Sequence, residues 1–345
     1  MTEAIADEKI KETVRQAYGG IARRFVEETA GGAEARSAPA SCCGPSPAEV
    51  ESTTATTQAS CCGPSQAAVD STATAAQASC CGPSQAEVES AEALAAADLS
   101  CCGAEGAVES TGSAVRLYSA EELTELPDTV TGASLGCGNP TAIAELQPGE
   151  VVLDLGSGGG IDCFLAARKV GPEGRVIGLD MTPDMIKLAR RNAKKVGATN
   201  VDFRYGEMEE MPLPDASVDV IISNCVINLS PDKGTVFGEA FRVLRPGGRM
   251  TVSDIVIDGQ LPAAIRARLD AWAGCIAGAL DESDYVGQIR AAGFNEVEVL
   301  SREYAQISQS AEWNELRALM SDDGLSPQDM DHKVASINVK AYKPA

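Results

Sequence analysis

Residues 151–171 have the sequence VVLDLGSGGGIDCFLAARKVG. The apolar run 151–156 predicts a buried strand and IDCFLAARKVG predicts a helix, so the glycines between them form a tight strand-to-helix turn. Glycine lets the backbone approach a ligand closely, and the first turn of a helix offers free N–H groups. This stretch therefore predicts a βα unit that binds a ligand at its turn.

Strands and helices continue to alternate after this unit. Strands are predicted at RVIGLD (175–180), VDFRYGE (201–207), VDVIISNC (218–225) and RMTVSDIVI (249–257), and helices at 182–197 and 233–248. Further on, we expect helices near 262–280 and 282–293 and strands at 296–303 and 335–343. The alternation implies right-handed crossovers, so the expected fold class is α/β, with a mostly parallel, Rossmann-like sheet and a C-terminal α+β extension.

The N-terminal third has a different composition. Residues 7–29 have apolar side chains at helical spacing and predict a helix. No Lys or Arg occurs between Arg36 and Arg116, and no aromatic residue between Phe25 and Tyr118. Such a stretch buries too little apolar surface to offset its ordering entropy, so we expect a flexible, disordered acidic linker.

This linker repeats a pair of cysteines. SCCGPS occurs at 41–46, 60–65 and 79–84, and SCCGAE follows at 100–105. The pairs have three interpretations: they collect a soft metalloid near a site, they supply reducing thiols, or duplication expanded a tolerated linker. No pair has a second pair at C-x₂-C spacing, so the signal for structural zinc is weak.

Charge excludes several classes of partner. Lys and Arg number 28 and Asp and Glu number 50, which gives a net charge of −22. This charge repels nucleic-acid phosphates and anionic lipids, so neither nucleic acid nor membrane is expected as a partner. The acidic start MTEAIADEKI does not fit a secretory signal, and no run of about 18 apolar residues occurs, so we expect a cytoplasmic protein with reduced thiols.

The chain contains one histidine, His332. A single histidine argues against His-rich metal sites and makes Ser-His-Asp or Cys-His catalysis unlikely. The chemistry of this protein must therefore rely on thiols, carboxylates or a cofactor.

The glycine turn distinguishes between cofactors. A dinucleotide turn needs G-x-G-x-x-G, but the sixth position from Gly156 is Ile161. The spacing G-x-G-x-G, with Asp154 before it, instead resembles motif I of class I S-adenosylmethionine methyltransferases. Asp180 ends the second strand, where a carboxylate can accept both ribose hydroxyls of a nucleoside.

The resemblance to class I methyltransferases implies further cofactor contacts. Gly206-Glu207-Met208 corresponds to the place where this family recognises adenine, and 223–226 corresponds to the family's position after the fourth strand. LRPGGR (244–249) resembles the turn before the fifth strand. The cofactor-binding residues expected on this basis are Asp154, Gly156, Gly158, Gly160, Asp180, Met181, Glu207, Met208 and Asn224.

Four cysteines lie outside the pairs. Cys137 lies in the glycine-rich SLGCGNP, Cys225 ends the fourth strand, and Cys275 lies in WAGCIAGAL after the fifth. Since ligands bind at the carboxyl ends of parallel strands, we expect these three thiols to meet at one cleft. The alternative is that they are small buried apolar residues, which is the interpretation favoured for Cys163.

The segments 141–171, 217–233 (SVDVIISNCVINLSPDK) and 272–280 (WAGCIAGAL) together resemble arsenite methyltransferases. The likeness covers roughly 115–300 and the AYGGIARR helix. It implies that thiolates of Cys137, Cys225 and Cys275 hold As(III), which prefers soft ligands. It also implies an upstream cysteine, here Cys102 or secondly Cys101, and an external thiol reductant similar to thioredoxin or glutathione.

The resulting hypothesis is a methyltransferase that transfers methyl groups from S-adenosylmethionine to thiolate-bound arsenite. Two alternatives remain: a methyltransferase for a small organic molecule, which needs a base, and a metalloid-storage protein that uses the repeats. The expected domains are an N-terminal helix (1–32), the linker (33–112), the cofactor-binding domain (113–260) and an extension that completes the arsenic site (261–345).

Overall fold

The computed structural model describes residues 2–31, 117–259, 276–305, 307–309, 317 and 326–345. The predicted linker, with Cys101 and Cys102, lies outside these residues. Cys275 and most of the helix predicted near 262–280 also lie outside them. Within the described residues, no helix is both long and apolar enough to cross a bilayer.

The helices and strands occur in the following bounds. The helices are α1 (Thr2–Gly31), α2 (Ala120–Leu123), α3 (Asp128–Thr131), α4 (Pro140–Ile143), α5 (Ile161–Val170), α6 (Pro183–Val196), α7 (Lys233–Val243) and α8 (Glu282–Ala291). The strands are β1 (Val151–Leu155), β2 (Arg175–Asp180), β3 (Val201–Tyr205), β4 (Val218–Asn224), β5 (Leu244–Ile257), β6 (Asn295–Tyr304) and β7 (Val334–Tyr342). Short 3₁₀ turns lie at Ile227–Leu229 and Pro327–Asp329.

The seven strands form one mixed sheet in the order β3-β2-β1-β4-β5-β7-β6. The first five are parallel, and β7 runs antiparallel to both β5 and β6. Leu155 of β1 is in register with Leu179 of β2 and Ser223 of β4, so three strands end at nearly the same level. The predicted α/β class, with a mostly parallel sheet and a C-terminal extension, is confirmed.

Two apolar clusters cover the sheet. Neighbouring residues of a strand point to opposite faces, and β1 shows this clearly. Val152 packs with residues of α5 and α6, whereas Leu153 packs with residues of α7 and α8. The central strands β1 and β4 are therefore buried on both faces, and their carboxyl ends remain available for a ligand.

The helix predicted at 233–248 is shorter than expected. It ends at Val243, and Leu244 already begins β5. Pro246 disfavours a helical conformation at Arg245 and lacks an N–H group, so the helix cannot continue through this segment.

The glycine turn after β1 is shaped by its last glycine. Gly160 precedes the first residue of α5 and has φ +98°, in the region that favours glycine. A β-carbon here would lie 2.8 Å from the Phe164 ring and 2.9 Å from the Phe203 ring. Gly158 has φ +49°, but a β-carbon there would contact nothing within 4 Å.

We expect Gly160→Ala to destabilise the protein by about 3 kcal/mol, because a left-handed backbone penalty adds to overlap with the two rings. Gly158→Ala is the matched control and should cost only about 1 kcal/mol. Urea unfolding of both variants measures the two losses. Equal losses would contradict the proposed close packing under Gly160.

Candidate active site

A cleft lies at the carboxyl ends of β1, β2 and β4. Its walls include residues 133–136, 156–159, 180–182 and 224–226, and α1 contributes Val14 and Tyr18. The cleft encloses about 870 Å³, counting its open mouth. This position is the usual ligand site of an open α/β sheet.

Asp180 is fixed at the floor of this cleft. Its carboxylate accepts hydrogen bonds from the backbone N–H of Gly158 (2.9 Å) and of Thr182 (2.8 Å). Burial raises the pKa of Asp180, and these two N–H groups oppose the rise. Each carboxylate oxygen keeps a further lone pair, so Asp180 can accept hydrogen bonds from hydroxyls of a ligand.

Other cleft residues suit a nucleoside. Met181 and Met208 give the wall an apolar surface that can pack against a flat ring. Ser157 also lines the cleft, and its buried hydroxyl has no hydrogen-bond partner among the described residues. Buried polar groups normally have a hydrogen-bond partner, so a polar group of a bound ligand would be the expected partner of this hydroxyl. The cleft therefore fits the expected S-adenosylmethionine.

Two predicted cofactor residues lie beneath the cleft instead of lining it. Asp154 is 2% exposed and accepts a hydrogen bond from the Cys163 thiol (3.2 Å). Its side chain is on the α5 face of β1, so burial and the neighbouring Asp162 raise its pKa. Gly160 packs against aromatic rings, as described above. Asp154 and Gly160 lie beneath the turn and outside the cleft lining, and their contact with the cofactor stays a prediction. Cys163 is buried in the core as expected.

Glu207, expected to contact the cofactor, pairs with two basic residues in this structure. Its carboxylate accepts hydrogen bonds from Lys11 (2.6 Å) and Arg15 (3.0 Å), both on α1. The hydrogen bond from Lys11 is the largest cause that lowers the pKa of Glu207. In the described residues Glu207 is not part of the cleft wall, whereas its neighbour Met208 is. The opposite charges on α1 therefore occupy the carboxylate expected to recognise adenine, and they fix α1 beside the cleft.

Two of the predicted arsenic-binding cysteines meet at the cleft. Cys137 and Cys225 form a disulfide with their α-carbons 5.7 Å apart, although 88 residues separate them in sequence. Cys225 itself lines the cleft. The reduced thiols expected from the sequence are thus a disulfide here, because the fold brings both sulfurs to one point. No three His, Cys, Asp or Glu side chains cluster as metal ligands in the described residues, which exclude Cys275.

Cys225 has an unusual backbone conformation. Its φ is +60°, a left-handed conformation that costs a non-glycine residue of order 1 kcal/mol. Its N–H donates to the carbonyl of Ser253 on β5 (2.7 Å), so pairing with the sheet extends through this residue. The strand ends in a turn that leads Cys225 and Val226 into the cleft wall.

Sequence reasoning missed a buried carboxyl group that contacts Asn224, the residue bonded to the Cys137 backbone. Asp162, 5% exposed, accepts hydrogen bonds from the Tyr118 hydroxyl (2.9 Å) and the Asn224 side-chain amide (3.2 Å). Burial raises the pKa of Asp162 to about 6, and these hydrogen bonds oppose the rise. An acidic residue in the first turn of a helix is common, so Asp162 carried no signal of this role in sequence.

The chain resembles known methyltransferases. A family model described as a methyltransferase domain matches residues 146–319, half of the chain. An arsenite methyltransferase of Halobacterium salinarum is 44% identical over 72% of this chain and 60% of its own length. One of Aquipseudomonas alcaligenes is 37% identical over 62% of this chain and 66% of its own length. The chain thus spans less than two thirds of these curated relatives.

A solved structure is also similar. The crystal structure of an arsenic(III) S-adenosylmethionine methyltransferase from Chlamydomonas reinhardtii matches with a TM-score of 0.50 and 34% identity. The match covers 68% of this chain and 73% of the algal one.

The stability of the protein should depend on the titration of Asp162. Its pKa of about 6 in the folded protein lies above the ordinary 3.8, so the folded state holds a proton that the unfolded state has lost. This contribution is complete below pH 4 and disappears as the pH rises through about 6, by at most about 3 kcal/mol.

The measurement is urea unfolding of the wild type and Asp162→Asn between pH 4 and 7. The variant removes the titration, so the stability of the wild type relative to the variant should fall with pH. The lost hydrogen-bond acceptor adds a constant offset at every pH. A difference that does not change with pH would contradict the shifted pKa.

Proposed function

This chain belongs to the methyltransferase-domain family and, within it, to the arsenite methyltransferases, and we propose that it methylates thiolate-bound trivalent arsenic with S-adenosylmethionine. The observation that carries this proposal is the meeting of Cys137 and Cys225 at a cleft formed by a glycine turn and a fixed carboxylate. A nucleoside site with two adjoining sulfurs suits a soft substrate better than an oxygen or carbon acceptor.

S-adenosylmethionine, when bound, supplies a methyl group activated by a positively charged sulfur. The chain's own part is to bind and orient it. Asp180 accepts hydrogen bonds from the ribose hydroxyls, Gly158 leaves room for close approach, and Ser157 offers its unpaired hydroxyl. Met181 and Met208 pack against the base.

The cysteines hold the arsenic. Arsenite needs deprotonated thiols, so the Cys137–Cys225 disulfide has to be reduced before the metalloid binds. That reduction takes two electrons and two protons from an external dithiol or from two glutathione-like thiols, which become a disulfide. We propose a thioredoxin-like or glutathione-like reductant and a cytosolic setting for this reason.

A third ligand completes the arsenic site in this proposal. Cys275 is the third thiolate, and Cys102, or secondly Cys101, delivers the metalloid or completes the set. Three sulfurs leave one lone pair on trivalent arsenic, and this pair is the nucleophile. Because no proton has to leave arsenic, the reaction requires no histidine base, and the enzyme contributes mainly by positioning.

We expect Cys225→Ser to abolish methyl transfer to arsenite while the affinity for S-adenosylmethionine changes little, because a hydroxyl is a poor ligand for arsenic. Incubation with arsenite, cofactor and glutathione, followed by speciation of methylated arsenicals, measures the loss. The control is Cys163→Ser, in which the buried hydroxyl can still donate to Asp154 and activity should persist. Methylation at the wild-type rate in Cys225→Ser would overturn the proposed ligand set.

The cofactor site has its own test. We expect Asp180→Ala to weaken binding of S-adenosylmethionine by about tenfold or more, since hydrogen bonds to a charged acceptor are lost. Isothermal titration calorimetry measures the dissociation constant. Asp184→Ala is the control, because this carboxylate lies four residues later and pairs with Arg23 and Lys187. Equal affinities of all three proteins would exclude Asp180 from the site.

A further inference from the structure

Cys137 lies between the short helices α3 and α4, outside any strand. A sulfur on such a loop is located only as well as the loop backbone is held. Both backbone polar groups of Cys137 have side-chain partners: its N–H donates to Asn224 and its carbonyl accepts from Ser336. The two partners come from different strands, β4 and β7, so the loop is held from two sides.

Asn224 pairs with this loop in the manner of a neighbouring strand. Its side-chain oxygen accepts from the N–H of Cys137 (3.0 Å) and of Gly138 (3.2 Å), and its side-chain nitrogen donates to the carbonyl of Gly138 (2.7 Å). Three direct hydrogen bonds therefore tie the loop to the residue that immediately precedes Cys225.

The orientation of the Asn224 amide is itself fixed. One N–H of this nitrogen donates to Gly138, and the other is shared between the Tyr118 hydroxyl (3.0 Å) and Asp162 (3.2 Å). The Tyr118 hydroxyl itself donates to Asp162 (2.9 Å). A flipped amide would place its oxygen against the Asp162 carboxyl and its nitrogen against two N–H donors. The buried Tyr118–Asp162 pair therefore determines which end of the amide faces Cys137.

The fit between Asn224 and the loop is too close for a side chain at Gly136. A β-carbon on Gly136 would lie 2.3 Å from the Asn224 amide nitrogen, well inside contact distance. Ser336 acts on the opposite side, where its hydroxyl donates to the Cys137 carbonyl at 3.0 Å. Ser336 lies on β7, in register with Ile255 of β5, so this contact links the C-terminal extension to the cysteine loop.

We infer that Asn224 and Ser336 are positioning residues that hold the Cys137 sulfur within bonding reach of Cys225. Asn224, expected from the sequence to bind the cofactor, has its polar atoms engaged by the loop, Tyr118 and Asp162. The inference adds to the proposed arsenic site, but its central measurement requires neither arsenite nor methyl transfer.

The test uses the full-length chain at equilibrium with reduced and oxidised glutathione. Two protein thiols plus one oxidised glutathione give the protein disulfide plus two reduced glutathiones. Differential alkylation and mass spectrometry of the peptides that contain Cys137 and Cys225 give the oxidised fraction of this pair. The equilibrium constant reports the effective concentration of one thiol at the other.

We expect Asn224→Ala, which removes three hydrogen bonds to the loop, to lower this equilibrium constant by about tenfold or more. Ser336→Ala removes one hydrogen bond to the loop and should lower the constant by about threefold. The control is Ser217→Ala, which removes a serine hydroxyl bonded to the Pro214 carbonyl (2.7 Å) near the opposite end of β4. This control should leave the equilibrium constant unchanged. The dissociation constant of S-adenosylmethionine should change less than about twofold in Ser336→Ala and in Ser217→Ala, whose side chains do not line the cleft.

An unchanged equilibrium constant in folded Asn224→Ala and Ser336→Ala would overturn the inference. So would a loss of cofactor affinity in Asn224→Ala with no change in the thiol equilibrium, since that result assigns Asn224 to the cofactor. If Asn224→Ala does not fold, as judged by thermal unfolding, Ser336→Ala decides alone. If the wild type does not methylate arsenite but the two variants still shift the thiol equilibrium, the proposed function is rejected and the positioning role is kept.

Discussion

The side-chain amide of Asn224 joins two parts of the chain that are 87 residues apart: the loop with Cys137 and the end of β4 before Cys225. The rest of the site depends on this contact. The parallel sheet determines where β4 ends, and the buried Tyr118–Asp162 pair determines how the amide is turned. A disulfide between Cys137 and Cys225 follows from this arrangement, because both sulfurs lie on segments tied to one strand end.

Burial of carboxyl groups is the second constraint on the cleft. Asp154, Asp162 and Asp180 lie around the glycine turn, and burial raises the pKa of each. Such groups cost free energy when charged, and backbone or side-chain donors offset part of that cost. A positively charged ligand would offset more of it, which is in accord with the positively charged sulfur of the proposed cofactor.

The N-terminal helix shows how a second charge pattern completes the cleft. Lys11 and Arg15 of α1 pair with Glu207, and Val14 between them reaches the cleft wall. The helix thereby covers part of the cleft, whose other lining residues lie between Val130 and Leu229. Partly exposed ion pairs of this kind are individually weak, so α1 is held by their number together with apolar packing of Tyr18 and Ala22.

The sequence by itself predicted the α/β fold, the strand and helix order and the glycine turn, because apolar periodicity and turn residues are local properties. It also predicted that Cys137 and Cys225 would lie near one another, since both precede or end elements at one edge of a parallel sheet. It did not show that Asp154 would contact Cys163 or that Glu207 would pair with α1, and it overlooked Asp162 and Ser336. Only the tertiary structure decided these points, because the direction and partners of a polar side chain depend on residues distant in sequence that the fold brings into contact.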